Sequence, residues 1–260
     1  MFRSLHIAAT GMVAQETKLD TIANNLANAN TAGYKRQNAE FEDLLYQTQR
    51  GAGAAPGGAA SPARVELGSG SRIVTTSRSF AEGAIEQTGN PLDVAIEGSG
   101  FFTVTRDDGT LAYTRAGSLK LDAEGKIVTS DGLPLEPPLA VPTSATNVTI
   151  GSDGMVTAQL PNQPNAVQVG KLQLTTFTNP SGLAAMGHNL YVATGASGEP
   201  NVGDAGTEGR GRLMQGAVEG SNVEVVTEMI DLVRTQRAYE VNSKVISAAD
   251  EMLRTATQAR

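Results

Sequence analysis

The sequence has no cysteine, no tryptophan and only two histidines. Without cysteine there can be no disulfide, no thiolate metal site and no thiol nucleophile. His6 and His188 are the only side chains able to act as bases near neutral pH without a shifted pKa. Aromatic residues make up 4% of the 260 and charged residues 18%, so any core is built from small and aliphatic side chains. No apolar run approaches the ~18 residues needed to span a bilayer. The opening MFRSLHIAATGMVAQETKLD has neither the apolar stretch nor the cleavage site of a secretory signal. The chain is therefore expected to stay in the cytosol or to leave by a route needing no cleaved signal. Basic residues are scarce as well. There are 20 Lys and Arg against 27 Asp and Glu, a net charge of −7, and a nucleic-acid or anionic-membrane binder needs a basic face.

What the sequence does have is 29 glycines and 11 prolines, unevenly placed. Residues 1–32 hold one glycine and no proline, and residues 221–260 hold neither. Both ends therefore read as helix and the middle as β. At the first end Leu5, Ala8, Met12, Leu19, Ile22, Leu26 and Ala29 recur at steps of three and four, interrupted only by Gln15, which is a heptad stripe. Asn30 or Gly33 can take the left-handed conformation that closes that helix. At the other end Ser221 followed by Glu224 has the spacing of a capping box. Beyond it Val226, Ile230, Val233, Val241, Val245, Ala249 and Met252 mark one face, with Met229, Leu232, Tyr239, Ile246 and Leu253 beside it. A helix of about 38 residues runs roughly 57 Å at ~1.5 Å per residue. A compact globule of this size has a radius of gyration near ~18 Å, too small to enclose it.

The middle reads as short strands at 93–97, 101–105, 111–115, 118–122, 126–129, 147–150, 155–160, 167–177 and 189–194. Asp108-Gly109, Glu124-Gly125, Asp131-Gly132 and Asp153-Gly154 stand at hairpin positions where glycine supplies positive φ. This spacing predicts an antiparallel sandwich or barrel. Residues 51–63 are only Gly, Ala, Pro and Ser, the composition of a flexible linker, or of a segment that orders against a neighbouring molecule. Gly209-Arg210-Gly211-Arg212 reads as a mobile connection.

Catalytic chemistry finds little purchase. Neither histidine has metal-site spacing. The paired glycines at 68/70 and 98/100 lack the nucleophile-elbow and phosphate-loop patterns. Asp107-Asp108 belongs to a hairpin turn. No catalytic, cofactor-binding or metal site is expected. Association remains: an apolar helical stripe without a core of its own must be buried on something. The C-terminal helix has two adjacent apolar faces, too wide for one shorter helix to cover, and both ends are nearly neutral while the middle holds most of the negative charge. Amides such as Asn24, Asn25 and Asn28 can bond a neighbour's backbone without burying charge.

Residues 19–35, LDTIANNLANANTAGYK, closely resemble the N-terminal signature of bacterial flagellar rod and hook proteins. Its partner signature is similar to Ser221-Asn222-Val223, Glu228-Met229-Ile230 and residues 236–244. Further likeness lies in residues 41–48, in Asp93-Val94-Ala95-Ile96 with Gly98, Gly100, Phe101 and Phe102, and in Ala112-Tyr113-Thr114-Arg115. By length the chain matches the distal-rod members of this family best.

The resemblance implies a non-enzymatic α+β subunit, without cofactor, that stacks helically into the torque-transmitting axial shaft crossing the periplasm. Its long terminal helices would pair as a coiled-coil-like inner domain around the export channel, and the mainly antiparallel β region would lie outside. The implied boundaries are 1–35 and 221–260 for the inner helices, 36–80 for a rod-specific connection, 81–205 for the β domain and 206–220 for the return. Implied partners are other copies of the chain, proximal rod proteins, hook protein or the hook–rod junction, the surrounding rings, the rod cap and the flagellar export apparatus. Neither nucleic acid nor membrane insertion is implied. Subunit packing is expected at Leu5, Met12, Leu19, Ile22, Asn24, Asn25, Leu26 and Asn28, and at Val226, Met229, Ile230, Val233, Arg237, Tyr239, Val241, Val245, Ile246, Met252 and Leu253. A proximal rod or hook subunit, or a cell-wall-binding or hydrolytic β domain, are the competing readings.

Overall fold

Helices form where the chain carries no proline and almost no glycine. In the computed structural model, which describes residues 2–50, 65–161 and 165–258, α1 spans Phe2–Ala27 and α2 spans Val225–Gln258. The low-complexity run at 51–63 lies outside the described residues. The chain divides into two compact units. One contains Met1–Ala27, Gln37–Arg78 and Glu224–Arg260; the other contains Asn28–Arg36 and Ser79–Val223.

Within the first unit α1 packs on α2. A Cβ at Gly11 would stand 3.1 Å from Asn242 Nδ2, and Asn25 Nδ2 lies 3.3 Å from Glu228 Oε2. Low numbers of one helix meet high numbers of the other, so the two run antiparallel. The same unit holds β1 (Gln37–Asp43), β2 (Gln47–Arg50), β3 (Val65–Leu67) and β4 (Ser71–Arg78). Asp43 faces Ser71 and Gln47 faces Leu67 in one unbroken register. Between them Leu44 N donates to Gly70 O at 2.8 Å and Ser69 Oγ donates to Leu45 O at 2.7 Å. The four strands are one antiparallel ribbon with a bulge between Glu40 and Phe41. Sequence patterning does not foresee it, because neither arm alternates cleanly between apolar and polar residues.

The second unit contains β5 (Ile85–Gln87), β6 (Val94–Glu97), β7 (Phe102–Thr105), β8 (Leu111–Thr114), β9 (Leu119–Leu121), β10 (Ile127–Thr129), β11 (Leu135–Glu136) and β12 (Asn147–Ile150). It continues with β13 (Met155–Gln159), β14 (Val167–Lys171), β15 (Gln173–Thr176), β16 (Ala184–Gly187), β17 (Leu190–Val192), β18 (Asn201–Asp204), β19 (Arg212–Gln215) and β20 (Ala217–Glu219). A five-stranded sheet in the order β11-β7-β8-β17-β16 and a three-stranded sheet β12-β13-β14 are joined by the pairs β9/β10, β15/β18, β6/β19 and β5/β20. Every named pairing is antiparallel. The glycines at 109, 125, 132 and 154 all have φ between 77° and 84°, which is why glycine occupies those hairpin turns.

The core of this unit is aliphatic, centred on Val94, Ile96, Phe102, Val104, Leu172 and Leu174. The few aromatics are concentrated rather than spread. Phe80, Phe101, Tyr113, Phe177 and Tyr191 meet edge to face at centroid distances of 4.8–6.2 Å, the arrangement that ring quadrupoles favour. The buried hydroxyls of Thr103 and Thr175 are 2.7 Å apart. Thr175→Val should cost about 1–3 kcal/mol, because it strands the Thr103 hydroxyl away from water; urea unfolding of the variant measures it.

Three expectations are corrected. The capping box is not made. Ser221 Oγ accepts from Val223 N at 3.3 Å, Asn222 bonds the backbone of Arg36, Ser79 and Ala81, and α2 starts at Val225. The run at 167–177 is two strands, broken at buried Leu172, whose N–H turns to Gly154 O. The Gly-Arg-Gly-Arg segment is not a mobile connection. Arg212 opens β19 against β6, and the buried Arg210 guanidinium donates to Asn201 Oδ1 at 2.8 Å and Glu208 Oε2 at 3.0 Å.

Candidate functional site

The two terminal helices use their apolar residues in opposite ways. On α1, Leu5, Met12, Leu19 and Leu26 are half-buried and Ile22 is buried, with Ala8 and Ala14 filling the gaps between turns. The heptad stripe of α1 is thus turned inward, within its own unit. On α2, Leu232, Ile246 and Leu253 are half-buried and Ala249 is buried. The remaining apolar positions face water: Val226 is 64% exposed, Met229 53%, Ile230 48%, Val233 46%, Val241 59%, Val245 43% and Met252 51%. Arg237 and Tyr239 are exposed beside them. Single exposed aliphatics are ordinary on a soluble protein. A stripe of seven along one helix marks an interaction surface.

Asn25 is 1% exposed, and its amide is spent inside the chain. Its Oδ1 accepts from Gln37 N at 2.9 Å and its Nδ2 donates to Gln37 O at 2.9 Å. The side chain imitates a neighbouring strand and pins the start of β1 to the end of α1. The expectation that this amide bonds another molecule's backbone is replaced by a bond to its own. Asn24 is exposed and Asn28 half-buried, with Asn28 Oδ1 accepting from Thr31 Oγ1 at 3.2 Å. Asn25→Ala removes the partner of two backbone groups at once. At ~1 kcal/mol or more each, it should lower the stability of the helical unit by about 2–3 kcal/mol, read by urea unfolding followed at the helical circular-dichroism band.

In the β-rich unit three charged side chains are buried together. Lys35 Nζ lies 2.6 Å from Glu219 Oε1, and Arg115 Nε lies 2.8 Å from Glu219 Oε2, with Lys35 and Glu219 at 0% exposure. The remaining valences are filled by backbone. Lys35 donates to Ala81 O at 2.7 Å, Arg115 donates to Gly98 O and Gly100 O, and Gly83 N donates to Glu219 Oε1. Burial, aided by the Arg115 charge, pulls the Lys35 ammonium below its ordinary pKa against the opposing pull of Glu219. Burial alone would raise Glu219, but Arg115, Lys35 and the Gly83 N–H outweigh it and hold the carboxyl below its usual range. This clip ties the segment entering the unit, residues 28–36, to β20, which leaves it. Lys35 and Arg115 stand inside the signature segments read from the sequence. Glu219 carries no sequence signal, since nothing local distinguishes a buried acid from a solvated one.

Both histidines are exposed: His6 lies on α1, and His188 Nδ1 stands 3.5 Å from Asp131 Oδ2. Among the described residues no group of three or more His, Asp and Glu is arranged to hold a metal, and no helix is long and apolar enough to cross a membrane.

Residues 5–35 match the family described as flagella basal body rod protein, 95–158 the flagellar hook protein FlgE/F/G D1 domain, and 214–259 the flagellar basal body rod FlgEFG protein C-terminal. The chain is 44% identical over 260 residues to the flagellar basal-body rod protein FlgG of Caulobacter vibrioides, covering 99% of each. The chain belongs to the FlgE/F/G family of flagellar rod and hook proteins. It is 46% identical over 259 residues to FlgG of Buchnera aphidicola subsp. Acyrthosiphon pisum, covering 99% of this chain and 100% of that one. Identity to the rod protein FlgF of Caulobacter vibrioides is 32% over 262 residues, covering 99% and 98%. Like its FlgG relatives, this rod protein is a structural component of the flagellar basal body, and the family is not one of enzymes. Two of the family matches contain the packed α1 and the apolar stripe of α2, so the outward-facing surface belongs to a shaft protein.

Proposed function

We propose that this chain is the distal-rod subunit and that copies of it self-assemble helically into the axial shaft. Its helical unit would form the inner wall around the export channel, with the β-rich unit outside. The observation that carries this reading is the stripe on α2, seven large apolar side chains left facing water in a single subunit. The greater likeness to FlgG than to FlgF within one organism, 44% against 32%, favours the distal rod. Proximal rod proteins, hook or hook–rod junction proteins, rings, cap and export apparatus are the partners this role brings.

The α2 positions turned from solvent include Leu232, Thr235, Asn242, Ile246, Ala249 and Leu253. Their spacing of three, seven, four, three and four supports a coiled-coil-like seam with α1. Half of those six α2 positions are small or polar, and most large apolar side chains of α2 lie outside the seam. The helices of a lone subunit are therefore only marginally held, and stacking completes their burial.

Electron microscopy of the purified chain at rising concentration tests the reading. Tubular polymers are the expected outcome, with protease resistance of 225–258 rising as they form. A monodisperse monomer at every concentration would overturn it.

A further inference from the structure

Copies that meet through identical surfaces close into a dimer, whereas a shaft that keeps growing needs a surface and a different receptor on the same chain. This inference rests on the self-assembly reading above and names the receptor. The α2 stripe cannot be its own receptor in a growing polymer. The same unit contains a groove of about 350 Å³ between the first half of α1 and the ribbon, with Ala9, Val13, Ala14, Leu44 and Ile73 in its wall. Val13 is 62% exposed there.

We infer that this groove receives Val226–Val233 of α2 from a second copy. Size and spacing select that segment. A cavity of about 150 Å³ holds one benzene ring, so this groove has room for roughly two or three aliphatic side chains. Met229, Ile230 and Val233 place three large apolar side chains within about one turn, whereas Val241 and Val245 place two and Met252 stands seven residues further on. Charge does not oppose it: Arg72, ion-paired with Glu42, stands at the groove, and the acids Glu224 and Asp231 flank the apolar cluster. The resulting contact is heterologous, so each copy that docks offers a fresh groove and a fresh stripe.

The absence of native cysteine makes the test direct. Val13→Cys and Ile230→Cys are prepared as separate chains, mixed, polymerised and oxidised with diamide, and their near-native circular dichroism is checked first. A bridge requires Cα atoms roughly 4.4–6.8 Å apart. The expected result is a Val13–Ile230 cross-linked pair at least tenfold more abundant than Val13→Cys mixed with Val245→Cys, or than Ile230→Cys alone. Polymers whose dominant product is the Ile230–Ile230 pair, or that give no Val13–Ile230 pair, would overturn the groove assignment and leave self-assembly standing. Folded chains that form neither polymers nor cross-links would overturn both.

Discussion

Glu219→Ala is expected to unfold the β-rich unit under conditions where the native protein is stable. The substitution leaves two buried cations, Lys35 and Arg115, with no counter-charge. Breaking a buried ionic group by removing one partner costs about 3–5 kcal/mol, a large part of the ~5–15 kcal/mol by which a domain is stable. Lys35→Met should be mild by comparison. It leaves the Arg115–Glu219 pair neutral and intact, removes an ammonium that burial already disfavours, and leaves Ala81 O still accepting from Asn222 Nδ2. A loss of about 1.5 kcal/mol or less is expected, and urea unfolding of both variants checks the asymmetry. Equal losses would mean that the clip acts as packing and not as charge.

The same group sets an acid limit. Glu219 is held below its ordinary pKa of 4.5, so the folded state binds its proton less readily than the unfolded chain does. Its contribution to stability is complete above about pH 4.5 and is lost as pH falls through the lower folded value. Lys35, lowered from 10.5, acts at the other end: stability rises with pH between its folded pKa and 10.5. Unfolding midpoints measured from pH 6 down to pH 2 should fall more steeply in the native protein than in Glu219→Gln.

Val233→Asp should abolish polymer formation and leave the monomer folded. In the lone subunit Val233 is 46% exposed, so the aspartate stays hydrated and stability should change by no more than about 0.5 kcal/mol. In the polymer the same carboxylate would be buried without a partner, at about 3–5 kcal/mol. Each 1.4 kcal/mol is a factor of ten, so the critical concentration should rise at least about a hundredfold. Sedimentation of polymer, with circular dichroism and melting of the soluble fraction, separates the two effects. Pelleting at the native concentration would show that the stripe is not the contact.

Much of this architecture is written in short-range pattern. A helix needs no more than a run free of proline and nearly free of glycine with apolar residues at the right period, and both ends supply one. Hairpin turns need glycine at positive φ, and Gly109, Gly125, Gly132 and Gly154 all adopt it. The ribbon of 37–50 with 65–78 escaped because its stability lies in cross-strand bonds between residues up to 41 apart, as for Gln37 with Arg78. The capping box failed for a related reason. Ser221 and Glu224 have the correct spacing, but Asn222 is held by Arg36, Ser79 and Ala81 from far along the chain, and helix formation waits until Val225.

The residues alone determined that this protein has helices at its ends, β structure between them and no thiol chemistry, because those properties depend on composition and on neighbours a few positions away. Only the folded chain decided which apolar face of α2 meets α1 and which meets water, that Asn25 serves its own backbone, and that Lys35, Arg115 and Glu219 share one buried site. Each of those outcomes is a competition for burial and for hydrogen-bond partners among groups from 12 to about 200 residues apart, and no local pattern records who wins.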